Sequence, residues 1–207
     1  MSGPLRLLAG AAALLLPAAL FGATPHNSDA TQDHASLTGQ LLVATPSMGD
    51  PRFAETVLVM VRHSRDGAFA IVVNRRVGEQ PVARVLEALG EKSDGATGTV
   101  QVFQGGPVRP EQGFVLHSTD YRDGTTQAIG ADVALSASAE ILRAIAANTG
   151  PKKSLLAFGY AGWAPGQLES ELARNSWFTT PLDPKLVFDE DRDRVWTLAV
   201  ERRTRDL

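Results

Sequence analysis

The chain has 207 residues, a formal net charge of −3 and a pI near 5.8, a balance that removes any general attraction to nucleic acid or anionic lipid. It contains no cysteine, which excludes disulfides, Cys-ligated zinc, iron–sulfur clusters and thiol catalysis. Cysteine usage therefore leaves the redox compartment open.

The N-terminus does speak to compartment. Arg6 precedes an apolar run over 7–21, and small, polar residues follow, which is the layout of a signal peptide. The run falls short of the about 20 apolar residues that a membrane span needs, and Gly10 and Pro17 weaken it as a helix. Residues 1–30 read as a leader, 31–36 as a polar linker and 37–207 as one domain with a single core. The leader predicts an exported, periplasmic protein that meets a membrane only through that leader. A start codon assigned too far upstream would instead make the protein cytoplasmic.

Within the domain, 40–45 reads as a first strand. Asp50-Pro51 opens a helical turn, aspartate as N-cap and proline at the first position. Two β-branched runs, 57–62 and 68–73, are separated by Ser64-Arg65-Asp66-Gly67, and the Asp-Gly pair predicts a hairpin. From Pro81, Val82, Val85, Leu86 and Leu89 fall at helical spacing with Gly90 as the stop. Strands follow at 99–103 and 113–117, joined through Gly105-Gly106-Pro107, and Asp123-Gly124 marks a turn before a short strand near 127–129. Ser136 is expected to cap a helix that buries Ile141, Leu142 and Ile145. A strand at 153–160 then runs into a glycine-rich turn, a helix over 167–174 follows, and Asp189, Glu190 and Asp191 are expected in the first turn of a last helix reaching Arg203. Hairpins mixed with isolated helices indicate an α+β fold.

The most informative stretch is 159–177. Three glycines in eight residues, Gly159, Gly162 and Gly166, specify a tight backbone shape and present Tyr160 and Trp163 beside a helix start. This stretch, together with 41–61 (LLVATPSMGDPRFAETVLVMV), 63–74 (HSRDGAFAIVVN) and 105–117 (GGPVRPEQGFVLH), resembles the YqgE/AlgH family of bacterial proteins. The resemblance runs from about residue 37 to the C-terminus, with the segments in the family's order. It implies a single α+β domain whose split, mixed sheet rolls into a pseudo-barrel flanked by helices. It implies no reaction, although some members carry the label of transcriptional regulator.

Site candidates follow from residue chemistry. His63 and His117 each stand at the far end of a strand, where they could line one pocket as a hydrolase or metal-assisted enzyme would need, or each fix a nearby turn. Neither G-x-S-x-G, H-E-x-x-H nor a phosphate-binding glycine motif is present, so no residue is assigned as catalytic and neither metal nor cofactor is expected. Asn74 reads as a loop-orienting residue with ligand contact as the alternative, and Trp177 as packing against Leu168 or Leu172. The preferred site is a binding groove formed by Tyr160, Trp163, Gln167 and Glu169. The resulting expectation is a non-enzymatic binding or regulatory module acting on an unidentified protein or small molecule through 159–177, with nucleic acid disfavoured.

Overall fold

The computed structural model describes residues 36–205, so the leader and the linker residues 31–35 lie outside it. In chain order the elements are β1 (Gln40–Ala44), β2 (Val57–Ser64), β3 (Gly67–Val72), β4 (Arg76–Pro81), α1 (Val82–Ala88), β5 (Thr99–Gln104), β6 (Val108–Ser118), β7 (Gln127–Ala128), β8 (Val133–Ser136), α2 (Ala139–Ala146), β9 (Ser154–Trp163), α3 (Gln167–Ala173), β10 (Trp177–Pro181) and α4 (Val195–Arg205). The strands are ordered β10-β1-β2-β3-β9-β6-β8-β7, with β5 and then β4 branching from β9. This is the split, mixed sheet of an α+β domain, curled into a half-barrel.

β1 shows why the sheet is covered on both sides. Its residues Leu41 to Ala44 are all apolar and all fully buried, with no polar alternation. Leu41 and Val43 join Val59, Ile71, Phe114 and Leu116 in the hollow of the curl, which Leu186, Val187, Val195 and Ala199 from the C-terminal segment close. Leu42 and Ala44 face the other way, into a layer with Met60, Ala70, Trp163, Leu168 and Trp177 beneath α3. A third layer packs α1 and α2, through Leu86, Ile141 and Leu142, on Val102, Val115 and Leu156.

The glycine-rich segments meet at one crossing. Leu156 of β9 pairs with Val102 of β5, in parallel, and with Val115 of β6, antiparallel, so β5 and β6 flank β9 on opposite edges. Only Gly105, Gly106 and Pro107 connect them, and the link must therefore pass over β9. It does so at Gly159: a Cβ on Gly106 would sit 2.1 Å from the carbonyl carbon of Tyr160, and one on Gly159 would sit 2.5 Å from the Gly106 oxygen. Gly159 also has φ of +75°, which glycine adopts without steric penalty. Backbone lies on backbone here, which explains Gly105, Gly106 and Gly159 without a ligand.

Four expectations are corrected. The glycine turn is not a turn, because β9 continues through Gly159 to Trp163 and the left-handed residue lets the crossing pass. Ser136 ends β8 instead of capping a helix, its hydroxyl being turned to the buried ring of His117, and α2 starts at Ala139 after Ser138. Asp189, Glu190 and Asp191 precede the last helix, which begins at Val195. Asp189 ends a π-helical turn, Lys185–Asp189, whose carbonyls of Leu186 and Val187 accept hydrogen bonds from the Arg192 guanidinium. Strands β4, β8 and β10 were not anticipated, since Arg76–Pro81 is polar and glycine-bearing and the other two are too short to show a period.

Candidate functional site

Trp163 is the last residue of β9, and its indole lies on the face that α3 covers. α3 begins after Gly166, at φ of +74°, and the side chain of Gln167 accepts a hydrogen bond from the Ala164 N–H at 3.1 Å. Gln167, Glu171 and Arg174 then fall at i, i+4 and i+7 along one stripe of the helix. Glu171 is the hub of that stripe. Its Oε2 accepts from the indole N–H of Trp163 and from that of Trp177, each at 2.8 Å, while Oε1 accepts from the Gln167 amide at 3.0 Å. The two indole rings meet edge to face at 6.0 Å, and Phe53 meets Trp177 the same way at 5.4 Å. Pairing both N–H groups with one carboxylate fixes the rings in place, because a buried indole donor without a partner is costly.

These rings wall an open groove of about 340 Å³, whose other side is formed by Pro107 and by Val108, an exposed valine at the start of β6. A smaller recess of about 100 Å³, lined by Arg75, Gln104 and Val72, adjoins the groove at Phe53 and Pro107. Asp50 caps the 3-10 turn Pro51–Phe53 that carries Phe53, and it also pairs with Arg52 at 2.7 Å, which holds its carboxyl below the usual carboxylate range.

The predicted site residues are not all together. Trp163 and Gln167 line the groove. Tyr160, three positions earlier on β9, faces the opposite side of the sheet, where its ring packs on Phe69 at 4.7 Å and on Phe114. Glu169 points off another side of α3 and accepts from His63 Nε2 at 2.8 Å. His63 Nδ1 in turn accepts from the Leu37 N–H at 3.1 Å, which fixes the tautomer with its proton on Nε2, and the Thr38 hydroxyl accepts from the His63 N–H. The histidine thus ties α3 and the residues entering β1 to the end of β2. Asn74 bridges backbone on both sides, accepting from Val57 N–H at 2.9 Å and donating to Glu55 C=O at 2.8 Å, and so anchors the loop ahead of β2.

His117 is fully buried, with Nδ1 donating to the Ser118 carbonyl and Nε2 accepting from the Ser136 hydroxyl at 3.0 Å. It shares no partner with His63, and strands β3 and β9 lie between theirs. The shared histidine pocket is therefore not formed. Among the described residues no group of three or more His, Asp or Glu side chains is placed to hold a metal ion.

Burial pushes the His117 imidazole below its ordinary value of 6.5, against smaller opposing effects from the Ser118 carbonyl and the charges of Asp123 and Asp120. The folded protein thus favours the neutral ring more than the unfolded chain does. Its contribution to stability is complete above pH 6.5 and is lost as pH falls below that value towards the depressed folded one. Urea titrations of wild type and His117→Gln at pH 7 and 5 should show a steeper fall for wild type, by at most about 1.4 kcal/mol per pH unit for one proton. Equal slopes would contradict the assignment.

Glu171 is the groove residue that sequence reading missed. Its one signal was the i, i+4 spacing to Gln167 on a helix flanked by two tryptophans, and neither tryptophan announces a shared acceptor.

A family model described as AlgH-like matches residues 41–207. The chain belongs to the AlgH-like family. A UPF0301 protein of Methylococcus capsulatus is 44% identical over 170 residues, covering 82% of this chain and 93% of the relative. The solution structure of the AlgH protein from Pseudomonas aeruginosa is 40% identical and matches with a TM-score of 0.69 over 84% of this chain and 92% of that one. A Corynebacterium diphtheriae crystal structure, 24% identical with a TM-score of 0.61 over 88% of this chain and 92% of that one, shares the fold. The AlgH-like match covers α3 and every wall of the groove.

Proposed function

We propose that the chain is a non-enzymatic binding or regulatory module that receives part of a partner protein in the groove between α3, β9 and β6. The observation that carries this reading is the carboxylate of Glu171 holding both indoles, which gives a rigid aromatic wall beside the open apolar lip of Val108. A preorganised aromatic surface binds with little loss of side-chain freedom. The basic, apolar and small-residue layout of 1–30 supports an exported location as part of this proposal.

A photo-crosslinking amino acid at position 108, compared with one at Val77, tests the proposal in intact cells. Among the described residues Val77 is the other large hydrophobic side chain that stands exposed, and it lies on β4 and lines neither the groove nor its recess. A discrete adduct from 108 but not from 77, recovered in the periplasmic fraction, is the expected result. Identical patterns from both positions, or none from either, would overturn the groove. A specific adduct in the cytoplasmic fraction would overturn only the location.

A further inference from the structure

Resting on that reading of the groove, we propose that its occupant is an extended acidic segment of a partner protein, with carboxylates on Arg75 and Arg174 and an apolar side chain between them against Phe53 and the indoles. The argument starts from which groove donors are already committed. Both indole N–H groups are held by Glu171, and the Gln167 amide donates to Glu171 and accepts from Ala164. Arg52 is neutralised by Asp50 across two residues. The two indoles therefore have no N–H to offer a ligand, and the neutral donors left on the lining are the second amide N–H of Gln167 and the Ser176 hydroxyl.

Two guanidiniums remain without a carboxylate partner. Arg174 donates to the Ser170 hydroxyl at 2.9 Å, and Arg75 donates to the Ala54 carbonyl and the Thr56 hydroxyl. Among the described residues neither forms an ion pair with a carboxylate, whereas Arg143, Lys153 and Arg202 each do. The groove's own acids are Asp50, paired with Arg52, and Glu171, whose bonds to neutral indoles leave its charge in place against Arg174 three positions along the helix, so Arg75 in the recess is the cation in excess. In a protein of net charge −3, an apolar groove with a carboxylate-free guanidinium in its recess and another on its helical wall selects for anions.

Geometry favours an extended chain over a compact molecule. Arg75 belongs to the small recess and Arg174 to the main groove, and the two cavities meet at Phe53 and Pro107. A ligand that reaches both cations has to run past the aromatic wall, as a peptide strand with acidic and apolar side chains does.

The test is selection of a displayed random dodecapeptide library on the full chain. Fluorescence anisotropy of the enriched peptides then follows against wild type, an Arg75→Gln/Arg174→Gln double variant and Val108→Asn. The expected result is enrichment of Asp and Glu beside Phe, Trp or Leu, binding that weakens as salt is raised, and at least a roughly tenfold loss in the double variant. Peptides without acidic enrichment that bind wild type and the double variant alike, but not Val108→Asn, would overturn the acidic ligand and leave the groove standing. Peptides indifferent to all three substitutions, or no enrichment, would also overturn it, and crosslinking from position 108 would then decide the groove by itself. Self-association of the full chain that Val108→Asn abolishes would give the groove to a second copy and overturn the proposal as well.

Discussion

Gly159→Ala should destabilise the domain by about 2–5 kcal/mol, the sum of about 1–2 for an L-residue held in the left-handed region and about 1–3 for forcing extra volume into a packed site. The clash is with backbone: the new Cβ would lie 2.5 Å from the Gly106 oxygen and 3.1 Å from the Val108 oxygen, and neither can swing aside as a side chain tip would. For a chain of this size that corresponds to a melting point lower by roughly 5–20 °C. Two other glycines separate the contributions. Gly166 has φ of +74° with nothing within 4 Å of a Cβ, so Gly166→Ala should show the conformational part alone. Gly49 has open space and an ordinary φ, so Gly49→Ala should be within about 0.5 kcal/mol of wild type. Thermal unfolding of the three variants decides the matter. If Gly159→Ala melts with Gly166→Ala, the β5–β6 link does not press on β9 as described.

Glu171→Ala should cost about 2–6 kcal/mol, because it leaves two indole N–H groups unpaired at about 1–3 kcal/mol each. Trp163 and Trp177 are only 8% and 3% exposed with the carboxylate in place, so its loss frees both rings to move towards water entering from the groove. That movement gives a second readout: tryptophan emission should shift to the red and the near-ultraviolet dichroism of the paired indoles should weaken. Glu171→Gln restores an oxygen acceptor for the indoles and loses the pairing with Gln167, so it should recover most of the stability and the spectrum. An alanine variant with wild-type emission and urea midpoint would mean that the indoles are not held by this residue. A spectral change without a stability change would mean that the groove relaxes freely.

Much of the scaffold was legible because local signals were strong. The Asp-Gly pair at 66–67 fixed the β2–β3 hairpin, the apolar spacing of Val82, Val85 and Leu86 fixed α1, and Asp50 with Pro51 fixed the turn under Phe53. The strands that escaped notice lack such signals. β10 is five residues whose pairing with β1 is made across about 140 positions of chain, and no window of sequence contains that information. The C-terminal half of β9 is hidden in the sequence for a related reason. Glycines locally read as a turn, and only the parallel and antiparallel partners on either side of Leu156 reveal that they serve a crossing.

The groove was half legible. Trp163 and Gln167 were marked because an aromatic in a glycine-rich segment beside a helix start is unusual. Tyr160 was marked by the same reasoning, but strand alternation turns it to the other face once β9 is known to continue. Glu169 and Glu171 are equivalent by composition, and helix phase alone sends one to His63 and the other to the indoles.

The sequence by itself determined an α+β domain, its hairpin, its helix faces and the importance of its glycines, because these depend on φ preferences and on apolar spacing over a few residues, while its AlgH-like kind was implied by the resemblance of four segments to that family. Tertiary structure alone decided that Phe53, Pro107, Val108, Trp163 and Trp177 share one groove and that Glu171 braces it. Those residues are brought together by sheet order and by a backbone crossing, and such pairings are set by the packing of the whole core, not by any neighbourhood along the chain.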